Sequence, residues 1–328
     1  MHAQLLQGAG KVLAALIFSI GSAALAQVPG RPVTLVVPTS SATVADITAR
    51  LLQPVLQQRL GQPVVVDNRT GASGAIGMTA VYRAAPDGNT VLVGPSTMAM
   101  INLLIKDLPW QAANDFQSVA RLASSFMAVV VPPTLPVNSM QDLVALAKKE
   151  PGKLNFATPG MGTPHHLLTE LFKQVTAINV VHIPYKTSAA AVTDTAGGQV
   201  QFAFQPLHGV LPLVKAGKLR LIGTVTEART PWTPETPTLK EGGIEGVGFN
   251  SWTGIFLPKG TARETVERYN REIAAILNTR EVREELLKNG IVVNYGGPED
   301  MANQLRGDVA IWKRVVEQGR VVLEEPKS

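Results

Sequence analysis

Residues 31 to 69 read RPVTLVVPTSSATVADITARLLQPVLQQRLGQPVVVDNR, and the order of patterns within them decides the fold. Val33 to Val37 is a short β-branched run, Val44 to Leu60 spaces its apolar residues as a helix does, and Val64 to Asp67 is β-branched again. Strand, helix, strand is a βαβ unit with parallel strands. The alternation continues through Ala75 to Ala84 and Thr90 to Gly94. It resumes with Met127 to Val131, Asp142 to Lys149, Leu154 to Ala157, Pro164 to Val175, Val180 to Ile183, Ala189 to Ala196 and Val200 to Phe204, which implies a second sheet. After Leu219 to Val225 comes a Pro- and Thr-rich loop, then an apolar strand at Trp252 to Leu257 and closing helices between Thr261 and Gln318 that return to the first lobe. Trp252 reads as core. The expectation is an α/β chain of two doubly wound lobes with a cleft between them.

Composition narrows the class. A chain of 328 residues with 45% hydrophobic and 17% charged residues can bury a core without disulfides, and it has no cysteine to make any. Basic residues are scattered, and aromatics make up only 5%, which argues against nucleic-acid binding. Lys11 precedes an apolar run from Val12 to Leu25 that closes on Ala24-Leu25-Ala26, the pattern of a secretory leader cut after Ala26. That run is shorter than the roughly 20 residues a membrane helix needs. Without the leader the chain keeps 29 basic against 25 acidic residues, a net charge of about +4 that suits an anionic ligand. Expected, then, is an exported periplasmic monomer.

In open α/β sheets ligands bind beyond the carboxyl ends of strands, where helix N-termini also point. The loop after the first strand, Thr39-Ser40-Ser41-Ala42-Thr43, is rich in hydroxyls, and Thr43 with Asp46 has the spacing of a capping box. A cap alone explains the pair, yet it leaves other N–H and hydroxyl groups for an anion. Thr158-Pro159-Gly160-Met161-Gly162-Thr163 follows another strand, with Thr163 as N-cap and Pro164 at the first helical position. His165 stands where a dinucleotide fingerprint needs glycine, so an anion cradle is the better reading and no cofactor is expected. Ser73, Thr97 and Tyr185 lie in or after comparable loops, while Arg69 is read as structural, paired with Asp67.

Catalytic patterns are missing. The chain has no G-x-S-x-G, H-E-x-x-H or P-loop motif, and two adjacent histidines on a helix point about 100° apart and cannot chelate one metal. His166 and Glu170 share a face but lack a third ligand. The enzymatic alternative is a hydrolase using Ser73 or Ser41 with His166.

The motifs together resemble the Bug family, the substrate-binding receptors of tripartite tricarboxylate transporters. The resemblance is carried by Arg31 to Pro38, Asp46 to Leu51, Leu60 to Arg69, Ala85-Pro86-Asp87-Gly88, Pro151 to Ala157, Gly162-Thr163 with His166-Leu167, Ile183 to Lys186, Gly197 to Val200 and Lys215 to Arg220. It implies a type II periplasmic-binding fold that closes like a flytrap, with lobe 1 at residues 27–126 plus 253–328 and lobe 2 at 127–252. It also implies a carboxylate held by hydroxyls, backbone N–H groups and water at Thr39 to Thr43 and Thr158 to Thr163, and a membrane permease pair or a sensor as partner. The sequence departs from the family pattern where an aromatic and Gly-Gly are usual, which here are Thr39 and Ala42-Thr43. Frequent acids are replaced by Gln201 and Gln205, so a ligand ammonium would lose its partner at Gln205 and a plain carboxylate is favoured.

Overall fold

A computed structural model describes residues 31–41, 43–249 and 251–319. The leader with its cut after Ala26, and Ala42, lie outside the described residues. Strands β1 (Val33–Val37), β2 (Val64–Asn68), β3 (Thr90–Pro95), β4 (Phe116–Ser125), β10 (Ser251–Pro258) and β11 (Ile291–Gly296) form one sheet in the order β11-β4-β10-β3-β1-β2. Strands β5 (Met127–Val131), β6 (Asn155–Thr158), β7 (Val181–Pro184), β8 (Phe202–Pro206) and β9 (Arg220–Val225) form a second, in the order β7-β6-β8-β5-β9.

The parallel pairing holds for β1 with β2 and β3, and for β6 with β7 and β8. Both sheets are nevertheless mixed. Strand β10 runs antiparallel to β3 and β4, and β5 antiparallel to β8 and β9. The sequence pattern also misses β4, because it is buried on both faces apart from half-buried Gln117 and Arg121 and so shows no alternation to read.

Helices α1 (Val44–Leu60), α2 (Ala75–Tyr82), α3 (Ile101–Leu104), α4 (Met140–Lys149), α5 (Pro164–Thr176), α6 (Ser188–Ala196), α7 (Leu207–Lys215), α8 (Arg263–Leu277), α9 (Arg280–Lys288) and α10 (Pro298–Gly319) cover the sheets. Among the described residues no helix is long and apolar enough to cross a membrane. Helix α1 shows how sequence sets the ends: Thr43 caps its start, and Gly61, at φ 70°, turns the chain out while its N–H reaches Gln57 O at 3.0 Å.

One apolar cluster runs through both sheets, joining Phe156, Phe172, Phe202 and Phe204 of the second to Trp252, Phe256 and Trp312 near the first. Trp252 is core, as read, with 1% of its surface exposed. Its indole N–H donates to Asp308 Oδ2 at 2.6 Å, and burial raises the pKa of that carboxyl. Replacing Trp252 by Phe leaves the buried carboxylate one donor short. The expected loss is about 1–3 kcal/mol in urea denaturation.

One crossing between the sheets is a single residue. Ser125, at the end of β4, pairs with Ser251 and Ile291, whereas Met127, at the start of β5, pairs with Pro206 and Val225. Only Phe126 stands between them. The carboxyl ends of β1 and β3 on one side, and of β6 and β8 on the other, therefore face the same crossover.

Candidate ligand-binding site

In the first loop the hydroxyls form a chain. Thr43 Oγ1 donates to Ser40 O at 3.0 Å, lies 2.7 Å from Thr39 Oγ1, and accepts from the Asp46 N–H at 3.4 Å. With its own proton committed to Ser40, Thr43 takes the one from Thr39. Asp46 is turned into the loop's own network. It is 2% exposed, and its carboxylate accepts from Arg50 Nε at 3.0 and 3.1 Å and from Asn68 Nδ2 at 2.9 Å. Asn68 also donates to Thr39 O at 3.1 Å, so this network fixes the loop against β2. Ser40 and Ser41 stay exposed at its tip.

The second loop is built over a stack of rings. Thr163 caps α5 by accepting from the His166 N–H at 3.4 Å and donates to Gly160 O at 2.7 Å. His166 Nδ1 accepts from the Gly162 N–H at 3.1 Å, which places the neutral ring's proton on Nε2, 3.7 Å from Glu170 Oε1. Glu170 is paired with Lys173 at 2.7 Å. The His166 ring stacks on His182 with centroids 4.2 Å apart, and His182 stacks on Phe156 at 4.9 Å. Thr158, fully buried, makes a 2.6 Å contact with His182 Nε2 and accepts from the Gly160 N–H at 3.2 Å. Burial, helped by the Lys173 cation, lowers His166 to about 4; burial and the neighbouring His166 do the same for His182.

Several candidates thus hold the loops rather than line them. Thr158 and His166 brace the second loop from beneath, and the Tyr185 hydroxyl donates to Asp194 at 2.8 Å, with its pKa raised to about 12 by burial and that carboxylate. Met161 is exposed at the loop tip, and Gly160 and Gly162 take φ of 127° and 70°, a region other residues resist. Ser73 lies exposed in a left-handed turn at φ 54°, and Thr97 is half-buried after β3. Gln205 is buried on β8. Arg69 pairs with Asp67 at 2.7 Å, as expected. The serine–histidine alternative gains no support from this arrangement. The His166 Nδ1 is occupied by Gly162 and its Nε2 faces Glu170, so the ring has no acceptor to offer Ser73 or Ser41. Changing Thr163 to Val removes both the cap and the bond to Gly160. A loss of about 1–2 kcal/mol in denaturant titration is expected.

A groove of about 650 Å³ shares no residue with these loops. It runs between α5, α10 and the connection after β9, and Glu227 and Asp308 alternate there with Lys240 and Arg314. Sequence reasoning did not single it out, since its walls come from three distant stretches. Its charges are mixed and converge on no single sign.

Comparison with known proteins agrees with this architecture. The family described as tripartite tricarboxylate transporter family receptor matches residues 48–320. The chain belongs to that family. It is 32% identical to Protein BugT of Bordetella pertussis over 88% of this chain and 90% of the relative. An R. palustris protein solved with adipate is 33% identical, covers 90% of this chain and 99% of its own, and superposes with a TM-score of 0.77. MatC from Rhodopseudomonas palustris with bound malate is 27% identical over 88% and 99% of the two chains, at a TM-score of 0.74. The tripartite tricarboxylate receptors are solute-binding proteins, and the two-sheet fold found here is theirs.

Proposed function

We propose that the chain is a periplasmic receptor that closes two lobes, 27–126 with 253–328 and 127–252, around one small carboxylate. It acts as a monomer and performs no covalent step, and it delivers its ligand to a tripartite-type membrane transporter. The observation that carries this reading is the pair of hydroxyl-rich, N-capped loops, at Thr39 to Thr43 and Thr158 to Thr163, at the carboxyl edges of two sheets joined through Phe126. Each loop opens a helix of 13 residues or more, whose dipole favours an anion at that end. With the Thr39, Thr43, Thr158 and Thr163 hydroxyls bonded within the loops, the donors left for a ligand are Ser40, Ser41 and backbone N–H groups, and water can bridge the rest. The relatives solved with adipate and malate support a carboxylate. An apolar leader ending at Ala26 supports export.

A thermal-shift screen of residues 27–328 against mono-, di- and tricarboxylates, keto acids, aromatic acids and amino acids tests it. A ligand at about 100 times its Kd adds roughly 2.7 kcal/mol, a shift of about 4–5 °C for a chain of this size. One carboxylate class should shift the protein and lose that shift in Ser40→Ala with Ser41→Ala. No shift with any acid would refute the reading.

A further inference from the structure

His182 lies on β7, outside both loops and on an edge strand of the second sheet. Its neighbour Ile183 packs on the apolar cluster of one face of that sheet, so His182 points to the other face, toward α5. In the parallel register it stands opposite Phe156 of β6, and the rings of Phe156, His182 and His166 lie nearly parallel, at interplanar angles of 13° to 19°. Its Nε2 also reaches Thr158 Oγ1 at 2.6 Å. One residue thus touches both supports of the second loop.

What these supports fix is the direction of the loop's N–H groups. Prolines stand at 159 and 164, so the segment between them offers backbone donors at Gly160, Met161, Gly162 and Thr163. The Gly160 N–H turns inward to Thr158 Oγ1 at 3.2 Å, and the Gly162 N–H turns inward to His166 Nδ1 at 3.1 Å. Both glycines take positive φ, which lets the chain reverse after each inward donor. Successive donors therefore alternate, leaving those of Met161 and Thr163 for an anion. Thr158 is the pivot. Its hydroxyl donates to Gly160 O at 3.1 Å, and with that proton committed the 2.6 Å contact needs an N–H on His182 Nε2.

We propose that His182 is a positioning residue of the ligand site, whose Nε2–H holds Thr158 and, through it, the alternating N–H groups of residues 160–163 in the direction that receives an anion. This rests on the receptor reading above. The stack with His166 and Phe156 serves stability, and the bond to Thr158 serves binding.

Two substitutions separate these parts. His182→Phe keeps a ring in the stack and loses the donor, whereas His182→Gln places an amide N–H where Nε2 stood and loses the ring. Isothermal titration of residues 27–328 with malate and adipate, the acids held by the two relatives, should show His182→Phe weaker by about five- to tenfold at a nearly level Tm. His182→Gln should bind within about twofold of the wild type although its Tm falls by a few degrees. Without ligand, amide hydrogen exchange in the peptide spanning 159–165 should quicken in His182→Phe and stay level in His182→Gln. Affinity that follows Tm in both variants would mark His182 as structural and overturn the proposal, as would a His182→Phe protein that binds like the wild type. Failure of the receptor reading looks different: the wild type gives no heat with either acid or with any in the thermal screen, and this inference falls with it.

Discussion

Lowering the pH from 7 to 4.5 should remove a large share of the protein's stability. His165, His166 and His182 are each held at about 4, against an ordinary value near 6.5. Although His165 keeps some exposed surface, both of its ring nitrogens are sealed and without partners. Above pH 6.5 the rings are neutral in the folded and the unfolded chain, and they add nothing to the pH dependence. Between 6.5 and 4 the unfolded chain takes up protons that the folded chain refuses, so stability falls with pH and the loss is complete below about 4. At 1.36 kcal/mol per unit, His165 accounts for about 3 kcal/mol. The stacked pair of His166 and His182 adds a further amount of about that size, reduced because His182 is partly exposed. Against a typical total of about 5–15 kcal/mol this is decisive. Denaturant titrations at pH 7, 5.5 and 4.5 should show midpoints falling steadily. His165→Leu should raise stability by about 1–3 kcal/mol at pH 5 and flatten the slope. A midpoint independent of pH over this window would contradict the assignment of buried neutral rings.

Placing a side chain at Gly290 should cost at least about tenfold in ligand affinity, because it holds the two sheets apart. Gly290 lies just before β11, which pairs with β4, and His208 lies in the first turn of α7, after β8. A Cβ on Gly290 would come 2.4 Å from His208 Cβ and 3.4 Å from its Cα. Neither atom is the far end of a flexible chain, so the backbones must separate. Gly290→Val also strains a φ of 68°, which lowers stability by about 1–2 kcal/mol whether or not the lobes close. A double variant separates the effects. Adding His208→Gly removes the obstruction but not the strain, so affinity should recover while stability does not. X-ray scattering should show Gly290→Val with a larger radius of gyration in the presence of ligand than the wild type.

Much of this was legible in the sequence. The strands from Val33 to Val37 and Val64 to Asp67, the caps at Thr43 and Thr163, and the pairing of Arg69 with Asp67 all follow from local pattern, because each depends on neighbours a few residues away. Strand β4 was hidden by burial on both faces, and the antiparallel course of β5 and β10 depends on which distant strands they join. The bracing roles of Asp46, Thr158 and His166 were hidden for the same reason. His166 and His182 are 16 residues apart, and only folding brings their rings within 4.2 Å. Hydroxyls and an imidazole beside a loop read alike whether they face a ligand or the loop's own backbone.

The most direct test of the whole account is a crystal structure of residues 27–328 with the acid that gives the largest thermal shift. The account predicts one carboxylate between Thr39 to Thr43 and Gly160 to Thr163, reached by backbone N–H groups and water, with Phe126 at the back of the cleft. An acid seated instead in the groove between α5 and α10, among Lys240 and Arg314, would contradict it.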